Sequence, residues 1–214
     1  MKVKWLGHAT YLITSDTGTK IITDPYVILD NLNYGEIKES ADIVTVSHDH
    51  PDHSNVSAVA GNPKVVRGTA EVKGIKFRGI PTYHDGVLGK QRGSNTVLCF
   101  VVDGVKVCHL GDLGHKLSDK QVTEVGKVDI LLIPVGGFFT IDAAVASQVC
   151  DQLKPRVIIP MHFKTDKCIF LPISGVDEFL QGKKDVSRLD TSEVEFKSGE
   201  LPANTQIIVL KSAL

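Results

Sequence analysis

Between His48 and His53 the chain places three histidines and two aspartates in six residues, within Ser47-His48-Asp49-His50-Pro51-Asp52-His53-Ser54. This cluster stands directly behind an apolar run, Asp42 to Val46, that reads as a β-strand. A loop leaving a strand end can turn several such groups toward one point. Imidazole nitrogens and carboxylate oxygens are the ligand types that suit zinc, manganese or iron, so a metal site is the first expectation.

The arrangement recurs further along. Tyr83-His84-Asp85 follows the strand candidate Ile75 to Ile80, Gly111-Asp112 follows Val105 to Leu110, and His162 follows Val157 to Met161. Four strand candidates that each run into His or Asp are what a metal site built along one edge of a sheet layer requires.

The remaining pattern supplies the frame. Strand-like runs at Lys2 to Leu6, Tyr11 to Thr14 and Lys20 to Thr23 suggest a meander, and further runs follow at Lys64 to Arg67 and Thr96 to Val102. Asp103-Gly104 is a two-residue hairpin signal before Val105. The second half alternates helical candidates, Ser118 to Val125, Ile141 to Leu153 and Val176 to Gln181, with the apolar strands Asp129 to Val135 and Arg156 to Met161. Ser118 and Thr140 are the expected N-caps. Two more strand-like runs, Glu193 to Lys197 and Gln206 to Leu210, close the chain. Many strands with fewer helices predict an α/β fold in which two sheets face each other with helices outside, a four-layer αββα sandwich. At 214 residues without repeat or linker, one domain spanning 1–214 is the simplest organisation.

H-x-H-x-D-H after an apolar strand, followed in order by a further His, an Asp preceded by Gly and a last His, resembles the signature of the metallo-β-lactamase superfamily. The resemblance implies two divalent metal ions, zinc by default, with manganese, iron and nickel also accepted by such ligands. It implies that His48, His50 and His84 hold one metal, that Asp52, His53 and His162 hold the other, and that Asp112 bridges them. A pair roughly 3.5 to 4 Å apart would clamp a shared hydroxide as nucleophile, with Asp52 a candidate for moving protons. The activity implied is hydrolysis of an ester, lactone, amide or phosphoester bond in a small molecule. Two other readings stay open: a redox protein in which the same ligands hold two irons, and a non-catalytic metal-binding module.

Trp5-Leu6-Gly7-His8-Ala9-Thr10, Thr23-Asp24-Pro25 and His109-Leu110-Gly111-Asp112-Leu113-Gly114-His115 are similar to a narrower branch of small metal-dependent hydrolases that includes the L-ascorbate-6-phosphate lactonase group. His8 ends the first strand as the ligand loops end theirs and is a candidate for the catalytic pocket. His109 and His115 are candidates for lining it or orienting ligands. Pro134 to Thr140 leads into a helix start whose free N–H groups suit an anion, with Lys90, Arg92 and Lys164 as possible partners.

Composition removes other classes. A net charge of −1 lacks the basic footprint of nucleic-acid binding, and no stretch approaches the ~18 apolar residues of a membrane span. No signal peptide is read at the start, so the cytoplasm is the expected location. Cys99, Cys108, Cys150 and Cys168 form no C-x-x-C pair and read as reduced core residues. No heptad or exposed apolar stripe indicates an oligomeric state.

Overall fold

The computed structural model describes residues 1–214. The first sheet is built from β1 (Lys2–Gly7), β2 (Thr10–Thr14), β3 (Lys20–Thr23), β4 (Ile43–Thr45) and β5 (Lys64–Val66). The first three strands form the expected antiparallel meander, and β3, β4 and β5 pair in parallel. The late strand β13 (Glu193–Glu195) closes the other edge, pairing antiparallel with β1.

The second sheet contains eight strands. Its antiparallel half is β6 (Ala70–Val72), β7 (Ile75–Tyr83), β8 (Ser94–Val102) and β9 (Val105–His109). The turn Asp103-Gly104 joins β8 to β9 with φ of 50° and 75°, the doubly positive geometry for which the Asp-Gly pair is suited. The parallel half continues through β10 (Ile130–Pro134), β11 (Val157–Met161), β14 (Gln206–Val209) and the edge strand β12 (Val186–Arg188). Every residue of β10 and β11 is buried, as expected of parallel strands covered on both faces.

Three helices punctuate this second sheet: α1 (Asp119–Val125), α2 (Ala143–Leu153) and α3 (Val176–Leu180). Ser118 caps α1 through a reciprocal capping box with Gln121, as its sequence suggests. The start of α2 differs from the expected Thr140 cap. Asp142 takes that position, its carboxylate accepting the Val145 N–H at 2.8 Å, because a carboxylate is the better acceptor for a free helical N–H.

Alternation along the strands divides the apolar residues between two cores. Ile13, Ile21 and Ile43 enter a 46-residue cluster shared by both sheets and the helices. Their neighbours Leu12, Ile22 and Val44 turn to a 14-residue cluster on the outer face of the first sheet. That outer layer is not made of long helices. The segments around Tyr26, Tyr34, Ile37, Leu171 and Ile173 cover it together with a 3-10 turn, Val56–Ala58. Large tyrosine rings shield the sheet without a helical scaffold, each satisfying its hydroxyl locally: Tyr26 donates to the Gly35 carbonyl at 2.8 Å. All four cysteines are buried and free. No helix is long and apolar enough to cross a membrane.

Candidate metal centre

Four loops converge at one end of the sandwich. The His48–His53 loop leaves β4, whereas His84, Asp112 and His162 follow β7, β9 and β11. The expectation of a single sheet edge is corrected here: β4 belongs to the first sheet and the other three to the second. Two successive antiparallel pairings, β7 with β8 and β8 with β9, leave β7 and β9 running in the same direction as β10 and β11. Their C-terminal ends therefore share one edge, the end at which parallel sheets present ligand-binding loops.

All seven residues singled out as ligands are brought together. The Oδ2 of Asp112 lies 3.2 Å from His84 Nε2 and 3.3 Å from both His53 Nε2 and His162 Nε2. The ligand-type atoms of His48, His50 and His84 lie within 4.8 Å of one another, and so do those of His8, Asp52, His53 and His162. Asp112 touches both groups through His84 on one side and His53 and His162 on the other.

Burial makes these groups costly unless something satisfies them. His53 Nε2 and Asp112 Oδ1 are buried without a hydrogen-bond partner, and a cation between the rings would satisfy groups of this kind. The donor set is all imidazole nitrogen and carboxylate oxygen, so its chemistry fits divalent transition-metal cations.

Charge at the centre follows from the same packing. Burial, reinforced by His162, pushes the His8 imidazole down to about 4, and burial with His53 nearby pushes His48 down to about 3. Both are neutral near pH 7, the form that ligates. Burial alone would raise Asp112, but His162 and His53 hold its carboxyl well below the usual range. Burial likewise opposes a charged His53, yet Asp112 and Asp24 overcome it and raise that imidazole well above its ordinary value. Asp52 is also held low against its burial, chiefly by the His8 hydrogen bond.

His8 occupies this wall through an unusual backbone. Gly7 and His8 have φ of 138° and 52°, a conformation that Gly7 supplies without a side chain. A Cβ on Gly7 would stand 2.3 Å from Tyr34 Cδ1. The result sets His8 Nε2 3.3 Å from Asp52 Oδ2 and brings its ring centroid within 4.2 Å of that of His162, the planes tilted by 43°.

The other two histidines of the branch motifs go elsewhere. His109 is fully buried, accepting the Gly111 N–H at 3.1 Å through Nδ1, so its Nε2 donates to the Ala9 carbonyl at 2.9 Å. It ties the Asp112 loop to the His8 loop without lining the cavity. His115 Nε2 accepts the Tyr83 N–H at 3.2 Å outside that cavity.

Three residues beneath the centre escaped sequence reasoning. Asp24, noticed only within Thr23-Asp24-Pro25, has no solvent exposure; its Oδ2 meets His53 Nδ1 at 3.0 Å and its Oδ1 accepts the Ser47 N–H at 2.8 Å. Ser47 Oγ in turn lies 2.9 Å from His48 Nδ1. Asn95 accepts the Asp112 N–H at 3.0 Å and donates to the Thr82 hydroxyl and the Leu110 carbonyl. Asp85 accepts four backbone N–H groups, from Val87, Gly89, Gln91 and Arg92, and so shapes the loop after His84. These partners are remote in sequence or are plain polar residues, and only the strand-ending position of Thr23-Asp24 offers a signal.

A cavity of about 340 Å³ opens over the cluster, lined by His8, His50, Asp52, His84, Asp112 and His162 together with Arg92, Phe139 and apolar side chains. Lys90 and Lys164 do not line it. At the α2 start the Asp142 carboxylate accepts the Val145 N–H, the third of the helix.

This two-sheet sandwich with a polyhistidine centre at its edge defines a class: residues 2–162 match the model of the β-lactamase superfamily domain. Among curated relatives, a UPF0173 protein of Pyrococcus furiosus is 33% identical over a match covering 77% of this chain and 84% of its own. A UPF0173 metal-dependent hydrolase of Hyperthermus butylicus is 30% identical, with 93% and 97% covered. The chain belongs to the UPF0173 metal-dependent hydrolase family of the metallo-β-lactamase superfamily. Among solved structures, a crystal structure from Thermotoga maritima, of a protein assigned to the zinc-dependent hydrolases of this superfamily, superposes with a TM-score of 0.80 at 38% identity, covering 98% of this chain and 97% of that one. The expected sandwich is thereby the superfamily's fold.

Proposed function

We propose that residues 1–214 act as one catalytic domain, a binuclear metal-dependent hydrolase of a small molecule. The observation that carries this reading is Asp112, whose single Oδ2 stands within 3.3 Å of ring nitrogens from both ligand groups. In this reading His48, His50 and His84 would hold one divalent cation and Asp52, His53 and His162 the second, with Asp112, which contacts both groups, available to either. Zinc is the default, being the metal ascribed to the similar Thermotoga maritima protein. When bound, such a pair supplies Lewis acidity and brings the pKa of the attacking water toward neutrality.

The chain's own groups do the rest. Asn95 holds the Asp112 backbone and the buried Asp24 orients the His53 ring, which positions both groups before substrate arrives. The neutral His8 holds Asp52 Oδ2 at the cavity wall, where it would keep that carboxylate oriented toward the reacting groups. Ester, lactone, amide and phosphoester bonds all fit this chemistry. The likeness of the His8 and Asp112 motifs to the lactonase branch makes lactones the first class to assay.

Elemental analysis of protein purified without chelator or affinity tag tests the proposal, alongside His50→Ala and Asp112→Ala. About two equivalents of zinc or manganese, lost in the variants, are expected, with metal-dependent turnover of lactone or phosphoester substrates. No metal after reconstitution would overturn it.

A further inference from the structure

We propose that the site takes an amphipathic oxyanion, with Arg92 as the receptor for its carboxylate or phosphate and an apolar rim for its body. The inference rests on the catalytic reading above but draws on different residues. Arg67 pairs with Asp49, Arg188 pairs with Asp177, and Arg78 donates to the Glu124 carbonyl. The Arg92 guanidinium meets no carboxylate. It faces the rings of Phe138 and Phe139, with centroids 6.0 and 5.6 Å away, and borders the cavity that holds His50, Asp52 and Asp112. A second cavity of about 330 Å³, on the His48 side, shares His50 and Arg92 with the first. A half-buried, uncompensated cation at the junction of two cavities is poised for a fork-shaped contact to an incoming anion.

Position is not left to a flexible loop. The Asp85 carboxylate accepts the N–H groups of Gln91 and Arg92 themselves, so the backbone carrying the guanidinium is anchored next to the ligand His84. Aromatic rings on one side restrict the side chain further and strengthen its hold on charge by excluding water.

The apolar half comes from the mouth. Phe170 is 77% exposed, Phe138 62% and Leu29 41%. Leu29 itself lines the cavity, and Phe138 and Phe170 are the chain neighbours of the lining residues Phe139 and Leu171. Exposed apolar groups on these three loops are the collar of the proposal. A body longer than the cavity would lie against it while its charged end reaches Arg92.

Calorimetric titration of metal-loaded protein with 4-phenylbutyrate, phenyl phosphate and the neutral 4-phenylbutyramide tests the receptor. Both anions should bind at least about tenfold more tightly than the amide, Arg92→Gln should erase that preference, and Arg92→Lys should keep part of it. Which anion binds better tells carboxylate from phosphate. An undiminished preference in Arg92→Gln, with metal content unchanged, would mean that the metals hold the anion and would overturn the assignment. For the body, octanoate should bind at least about tenfold more tightly than butyrate, and Phe138→Ser should reduce the gain. Equal affinities would overturn that half. So would a dimer in sedimentation that Phe138→Ser and Phe170→Ser dissociate, since a second copy would then cover the collar. If elemental analysis finds no metal, the catalytic reading fails by itself, and the Arg92 dependence is read on the metal-free protein.

Discussion

Asp24 precedes His53 by 29 residues, yet its Oδ2 meets His53 Nδ1 at 3.0 Å while its other oxygen takes the Ser47 N–H. The Ser47 hydroxyl donates to the same Asp24 Oδ2, so one carboxylate with no solvent exposure sets the ring of His53 directly and that of His48 through Ser47.

Asp24→Asn keeps size but gives up the charge and one acceptor. Partners of this kind are worth roughly 10- to 100-fold in metal affinity, so competition against a chromophoric chelator should show a loss in that range. Unchanged affinity would mean that His53 and His48 are oriented by packing alone.

Gly7→Ala should be strongly destabilising. The new Cβ would lie 2.3 Å from the Tyr34 ring at a φ of 138°, so both overpacking and backbone strain apply, together about 2–5 kcal/mol. Urea unfolding reads the loss. Tyr34→Leu in the same chain should restore part of it, as expected of neighbouring residues that couple.

Asp85 predicts an acid-sensitive loop. Although its burial acts the other way, four backbone N–H groups hold its carboxyl well below the usual carboxylate range. A depressed folded pKa stabilises above the unfolded value of about 3.9 and ceases to do so as pH falls through the folded one. The melting-temperature gap between wild type and Asp85→Asn should therefore be full at pH 7 and shrink below about pH 4. Hydrogen exchange at Val87, Gly89, Gln91 and Arg92 should quicken in the variant at neutral pH.

Chelation should lower the melting temperature, and added metal should raise it with a logarithmic dependence on free concentration, about 2.7 kcal/mol at a hundred times Kd. Scanning calorimetry of Asp112→Ala should show little of this response. A wild-type transition indifferent to metal would argue against tight binding at the centre.

The residues that gather at the candidate centre were legible in the sequence because each is a chemically conspicuous residue at the end of a conspicuous apolar run. The meander, the Asp103-Gly104 hairpin and the Ser118 cap were legible for similar local reasons. Strands β6 and β12 were not, since each has three residues with no fully buried side chain and owes its pairing to a neighbour. The outer layer around Tyr26 and Tyr34 has no period to read. Asp24, Asn95 and Asp85 act through long-range or backbone hydrogen bonds, which leave no mark on composition or spacing. The single sheet edge was a misreading of another kind: strand ends can be seen in one dimension, but which sheet each strand joins cannot.

That division between sheets has a further consequence. His8, His48, His50, Asp52 and His53 ride on the first sheet, His84, Asp112 and His162 on the second. Each proposed cation takes donors from both, so occupancy would clasp the two halves of the sandwich much as a covalent staple would, and no half-assembled chain could hold metal in this geometry. Bound metal would then be a certificate of completed tertiary assembly, and the free energy of coordination would be spent resisting the sliding of one sheet over the other.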